Sequence, residues 1–188
     1  MACINKLKEI STDKAFMLIE PGNLVLLTTR DKSKNNVMAL SWIMPIDFCA
    51  RFALVTGPWN YSYRALEKTR QCVLSIPSSS ILKKVVSAGN TGGNEIDDKF
   101  AACSLTPIPA RDVCAPLVAE CISNIECKVV DRVKKHDIFI LQGITAWLNP
   151  KLRRAKRVHA VGNGTFIEDG KTINLKKFML KRPNVDDL

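Results

Sequence analysis

The sequence predicts a mainly β protein, a compact β-barrel with helical insertions. Three observations carry that expectation. Short runs of leucine and β-branched residues recur between turn-forming residues, as strands do. Residues 125–129 set Ile125, Cys127 and Val129 against Glu126 and Lys128, the alternation of a strand with one wet face. The long apolar run 138–148 is interrupted by Gly143, and a glycine there marks a bulge or bend where a sheet curls. Strict strand–helix alternation and a glycine-rich turn after the first strand are both absent. A doubly wound dinucleotide-binding domain is therefore not expected.

The elements follow in order. Residues 24–29 form a first strand, 30–36 a polar turn, and 37–44 the returning strand, stopped near Pro45. Residues 52–56 form a third strand, closed by Gly57 and Pro58. The period then changes. Residues 62–69 are good helix formers, and either Asn60 or Ser62 can cap them. Residues 72–76 form a short strand ending at Pro77. A helix follows over 81–88, entered through Ser78 to Ser80 and stopped by the glycine-rich stretch 89–94. Another short helix is expected over 95–102. Pro107, Pro109 and Pro116 mark an irregular stretch. The strand through 125–129 then turns near His136 into 138–148, and short elements close the chain around 157–161, 165–167 and 172–178.

With 188 residues, 46% hydrophobic and 24% charged, the chain can bury one substantial core. A single domain over 1–188 is expected, with 151–188 as a basic C-terminal extension packed on it. No apolar run reaches bilayer-spanning length, and residues 1–13 lack the apolar core of a signal peptide. No membrane partner is expected, and the location read from this is cytoplasmic. Seven cysteines occur without a CxxC pair, which fits buried free thiols in a reducing compartment better than a zinc or iron–sulfur site.

The formal net charge of +10 points to an anionic partner. Much of it lies in Lys151, Arg153, Arg154, Lys156 and Arg157, then Lys176, Lys177, Lys181 and Arg182. Such a stretch is a solvated surface or a patch for nucleotide phosphates. Nucleic acid is not expected, because aromatic residues are 6% of the chain and are not interleaved with the basic ones.

Side chains for unaided catalysis are few. The imidazoles are His136 and His159, and the adjacent Asp97 and Asp98 point in different directions on any regular element. Asp98 and Lys99 read as a solvated helix surface. A bound cofactor removes the need for a triad. A flavin needs backbone N–H and C=O groups along its pyrimidine edge, and hydroxyls, helix N-terminal N–H groups and a cation at its phosphate. Residues 36–41 can supply the first set, and Ser41, Ser62 and Arg64 the second. The same residues admit a plainer reading: Val37, Met38 and Leu40 as core, Ser41 as a barrel-face hydroxyl, Ser62 as a cap.

A set of motifs in order then carries a resemblance. These are the stretches 21–29, 36–42, 56–64 and 73–77, Asp98 with Lys99 and Phe100, Glu120 with Cys127, and His136 before Gly143. Over about residues 21–148 the chain resembles the flavin reductase-like family of FMN-binding split barrels, especially its flavoredoxin-like branch. The resemblance implies a six-stranded, Greek-key split barrel, a homodimer, and a flavin near the dimer interface. It implies isoalloxazine contacts from Asn36, Val37, Met38 and Ala39, and phosphate and ribityl contacts from Ser41, Trp42, Ser62 and Arg64, with Lys99 and Phe100. It matches His136 to a catalytic histidine at the start of the long late strand. Here Lys134 and Lys135 precede that histidine instead of the commoner glycine and aspartate. The implied cofactor is FMN, with FAD as the alternative, and the implied donor is NAD(P)H. The activity implied is flavin reduction. The alternative is an FMN electron carrier served by a redox protein partner, without direct NAD(P)H activity. The basic cluster at Arg153 to Arg157 is a candidate for an NAD(P)H or FAD phosphate.

Overall fold

The computed structural model describes residues 22–178. Pro21, the segment 1–13 read for a leader, Cys3, Lys181 and Arg182 lie outside the described residues. In chain order the elements are β1 (Gly22–Asn23), β2 (Val25–Asp31), β3 (Lys34–Leu40), β4 (Ile43–Pro45), β5 (Arg51–Val55), α1 (Tyr61–Thr69) and β6 (Gln71–Ile76). Then come α2 (Leu82–Asn90), α3 (Lys99–Ala102), β7 (Pro107–Ile108), β8 (Leu117–Val118), β9 (Ser123–Val133), β10 (Ile138–Leu148), β11 (Val158–Ala160) and β12 (Phe166–Glu168).

One antiparallel seven-stranded sheet organises the molecule, in the order β3-β2-β6-β9-β10-β5-β4. Its two edge strands, β3 and β4, are consecutive in sequence, with only Ser41 and Trp42 between them. A flat sheet of that size holds its edges ~29 Å apart at ~4.8 Å per strand spacing. The link from Leu40 to Ile43 spans about 11 Å at most, at about 3.8 Å per residue. The sheet must therefore curl until its edges approach. Trp42 makes the crossing, its carbonyl accepting from Val55 N at 3.0 Å. The strand expected over 37–44 is thus two strands on opposite edges, and the sheet has seven strands where six were expected. The break is local: Ile43 N bonds back to Ser41 O at 2.8 Å, a turn that no ladder can absorb.

The curl encloses Leu27, Leu40, Leu54, Leu74, Phe139 and Leu141, with Tyr63 and Leu66 of α1 packed against them. A second apolar cluster lies on the other face of β2 and β3, where Leu26 and Val37 meet Val85 and Ala88 of α2 and Phe100 of α3. Burial on both faces explains why 24–27 is a continuous apolar run rather than an alternating one. In β10 the bulge foreseen at Gly143 is present, as a register shift between Gly143 and Thr145 against β9. A Cβ at Gly143 would sit 3.2 Å from the Ala50 carbonyl, to which Gly143 N donates at 2.8 Å.

Two expectations change. The helix over 95–102 contracts to α3, because Asp98 caps it by accepting from Ala101 N at 3.0 Å. Only a short 3-10 turn, Lys176–Phe178, forms in 172–178. The face of β9 expected to be wet is also not uniform. Lys128 is exposed, but Glu126 is fully buried beneath the segment around 111–115. Its carboxylate accepts from Arg111 N (3.1 Å), Asp112 N (2.6 Å) and Trp147 Nε1 (2.7 Å). Among the described residues Cys72, Cys103, Cys121 and Cys127 are buried free thiols, while Cys49 and Cys114 are exposed.

Glu126→Ala leaves three donors without an acceptor. It should lower stability by about 2–4 kcal/mol, the scale of losing buried hydrogen-bond partners. The exposed Lys128→Ala should stay within ~0.5 kcal/mol. Urea unfolding of the two variants checks the difference.

Candidate functional site

Among the described residues β3 is hydrogen-bonded on one side only, to β2. Alternate backbone N–H and C=O groups along its free edge therefore lack a ladder partner. Facing that region are the start of α1, the glycine-rich stretch 89–94 after α2, and Lys99 at the start of α3. Together they bound a hollow of about 340 Å³ lined by Asn36, Met38, Ala39, Ser62, Gly93 and Lys99, among others.

The polar groups of this hollow are incompletely paired. Asn36, 2% exposed, donates from Nδ2 to Ser62 Oγ at 2.7 Å, while its Oδ1 has no partner among the described residues. Ser62 is buried in the first turn of α1. The Asn60 N-cap gives that helix no side-chain cap, because its Nδ2 is turned to Thr56 Oγ1 at 3.1 Å. Tyr63 N bonds back to Asn60 O at 3.1 Å, which leaves the N–H groups of Tyr61 and Ser62 for an outside acceptor among the described residues. Gly93 presses so close that a Cβ there would stand 2.6 Å from Asn36 Oδ1 and 2.5 Å from the Tyr61 ring.

Lys99 is the cation of this lining, which also includes Glu95. The lysine is 3% exposed and makes no ion pair among the described residues. Burial pulls its pKa below the usual lysine value, and the opposing influence of Cys103 and Glu95 is smaller. The solvated helix surface expected for this pair is half right: Asp98 is exposed and caps α3, whereas Lys99 is buried against the hollow.

The structure thus gathers Asn36, Met38, Ala39, Ser62 and Lys99 around one hollow. Arg64 is exposed and lines a neighbouring hollow of about 380 Å³, which shares Trp59, Asn60, Tyr61 and Asn94 with the first. The side chains of Val37 and Phe100 are core. Ser41 and Trp42 form the crossing between the sheet edges. His136 is exposed in the 3-10 turn between β9 and β10 and lines neither hollow. Its neighbour Asp137 accepts from Thr56 N at 3.2 Å, which ties that turn to the chain entering Trp59 and Asn60. Residues 91–94 also line the hollow, although their glycines signalled only a helix stop. The composition did hold a clue, since a run of glycine and asparagine exposes backbone N–H groups to an anion.

Buried ammonium, hydroxyl, uncapped helix start and strand edge together suit a ligand that is anionic at one end and flat and polar-edged at the other. An FMN phosphate fits Ser62 and Lys99, and a flavin ring edge fits Asn36 and the free edge of β3. Fold and hollow so define the class, a curled half-barrel sheet with helical insertions and a polar hollow at one edge. The flavin reductase like domain matches residues 17–163, and the chain belongs to that family. An uncharacterised protein of Archaeoglobus fulgidus is 30% identical over 110 residues, 57% of this chain and 62% of that one. The chain thus matches less than two thirds of that relative's length. Two solved structures share the fold. The FMN-binding domain of a flavin reductases-like enzyme from Shewanella baltica OS155 has a TM-score of 0.76 at 22% identity, covering 88% of this chain and 95% of that one. Flavoredoxin of Desulfovibrio vulgaris (Miyazaki F) also has a TM-score of 0.76, at 23% identity, covering 93% and 96%.

Because its folded pKa lies below the usual value of 10.5, protonated Lys99 opposes folding when no anion is present. Stability of the ligand-free protein should rise with pH in the window between the folded pKa and 10.5. Lys99→Met should abolish that slope and be more stable than the parent at neutral pH. Thermal unfolding across pH reads both outcomes.

Proposed function

We propose that this protein is an FMN-binding oxidoreductase that reduces flavin with NAD(P)H. The observation that carries the reading is that Lys99, without an ion pair among the described residues, lines the same hollow as buried Ser62 and the start of α1. Ser62 can donate its hydroxyl proton to a phosphate oxygen while still accepting from Asn36. Lys99 adds its charge to the same hollow, and anion binding offsets its desolvation. Arg64 extends the positive field from the neighbouring hollow. Asn36, Val37, Met38 and Ala39 offer backbone groups along the β3 edge to the ring, and Ser41 and Trp42 follow at the crossing. Phe100 acts from the core by holding α3, and hence Lys99, against β3.

FMN, when bound, supplies the electron-accepting ring. The chain supplies position and field, and it keeps the ring orientation fixed. His136 is the proposed proton-holding residue near the ring. The Asp137–Thr56 bond supports this by joining its turn to the segment that borders the hollow. A homodimer belongs to the same reading. In its support, Met44 (60% exposed), Ile46 and Phe48 (81%) form an apolar surface at and beyond the edge strand β4. FAD in place of FMN, a cytoplasmic location and a redox protein partner remain parts of this proposal. A second reading, an FMN electron carrier without NAD(P)H activity, is favoured by the shared fold with flavoredoxin.

The purified protein should carry or take up FMN and show flavin absorbance. A colourless protein that cannot be reconstituted with FMN or FAD would sink the reading. Ser62→Ala and Lys99→Met should each weaken FMN about 10- to 100-fold, the range for one charge-assisted hydrogen bond of about 1.5–3 kcal/mol. Fluorescence titration measures this. Anaerobic NADH or NADPH should bleach the bound flavin, and a flavin left oxidised by both would select the carrier reading.

A further inference from the structure

We propose that the protein carries a second binding site, for a small organic anion that joins a flat apolar body to a carboxylate or phosphate. It lies where the Ser123 end of β9 and the Leu148 end of β10 face the segment 153–157. The hollow there measures about 670 Å³ and shares no lining residue with the hollow of Asn36 and Lys99.

Its floor is apolar: Ile76, Ile122, Ile125, Leu148 and the indole of Trp147. Trp147 is 38% exposed yet held in place. Its Nε1 donates to the buried Glu126, and the Arg111 guanidinium stands 5.3 Å from its ring centroid. The rim is cationic, formed by Arg153, Arg154, Lys156 and Arg157. Ala155 N donates to Leu152 O at 2.8 Å, Ser79 N to Lys156 O at 2.9 Å, and Asp169 N to Arg157 O at 3.0 Å. These bonds pin the basic segment against the barrel as a wall.

Charge balance sharpens the inference. Lys156 pairs with Glu168, and Arg157 pairs with Asp169, which also bonds His159 Nε2 at 2.7 Å. Asp169 is the one acidic residue of the lining, so the rim keeps net positive charge. Arg154 makes no ion pair among the described residues. A solvated basic face needs no apolar floor, and an apolar ligand needs no cations. The two together select a ligand whose ring lies on Trp147 and the isoleucines while its anionic head meets Arg154. An aryl carboxylate and a nucleoside monophosphate both have this chemistry.

The test uses 8-anilino-1-naphthalenesulfonate, a flat anion whose fluorescence rises in apolar surroundings, with the full chain saturated with FMN. Arg154→Glu reverses the unpaired charge, and Ala146→Trp fills the hollow from an exposed position on its lining. Each should weaken the probe at least tenfold while leaving the FMN affinity unchanged. Circular dichroism confirms that both variants fold. 2-Naphthoate or AMP should displace the probe, and whichever does so at the lower concentration names the source. No probe binding, equal affinity in all three proteins, or displacement by inorganic phosphate as effective as by either ring compound would overturn the proposal. FMN binding is read separately, so failure here is distinct from failure of the flavin site.

Discussion

The two-residue crossing at Ser41 and Trp42 is the constraint on which the rest depends. Because it joins the outermost strands of a seven-stranded sheet, the sheet has no flat alternative. Curling creates an interior, and the interior selects the large apolar side chains of β2, β5, β6, β9 and β10. It also leaves β2 and β3 with a second, outward face, which α2 and α3 must cover. Covering that face brings Lys99 and the stretch 89–94 to the free edge of β3. The candidate site is a product of how the edge region is closed.

That closure sets stability against binding. A well-packed apolar residue at position 99 would remove the burial penalty on the ammonium, and a capping bond from the Asn60 side chain would complete the start of α1. The protein has neither. It keeps an unpaired cation, an orphan amide oxygen on Asn36 and an uncapped helix within one hollow. Such concentrated dissatisfaction is costly in an interior and useful where an anion completes it.

Much of the architecture was legible because its signals are local. Gly57, Pro58 and Pro77 end their elements, and Gly143 bends β10, all within a few residues of where the effect is seen. Residues 138–148 form the strand expected, to the residue. What could not be read is what depends on distant chain. Glu126 alternates like a solvated residue, yet a segment some fifteen positions earlier covers it and fills its acceptor sites. Lys99 has the neighbours of a surface lysine, and only the packing of α3 on β3 buries it. The split of 37–44 is similar. Nothing between Val37 and Met44 announces that the two halves belong to opposite edges, since this follows from where β5 and β10 pair. At the site, Asn36 and Ser62 were legible by type and position, whereas the contribution of 91–94 was hidden behind its plain role as a helix stop.

The sheet order also dictates when the curled sheet can be completed. The hairpins β2–β3 and β4–β5 pair within themselves, but β5 reaches the rest of the sheet only through β10, as in the pairing of Phe52 with Leu141. Likewise β6 is backed by β9. Such distant pairings make closure a late and slow event. A ribosome-bound chain lacking β9 and β10 therefore holds the β3-β2-β6 sheet and the β4–β5 hairpin, with open edges and unfinished apolar faces. Such surfaces are prone to wrong pairing, so protection of the nascent chain matters most just before the Leu148 end of β10 is made.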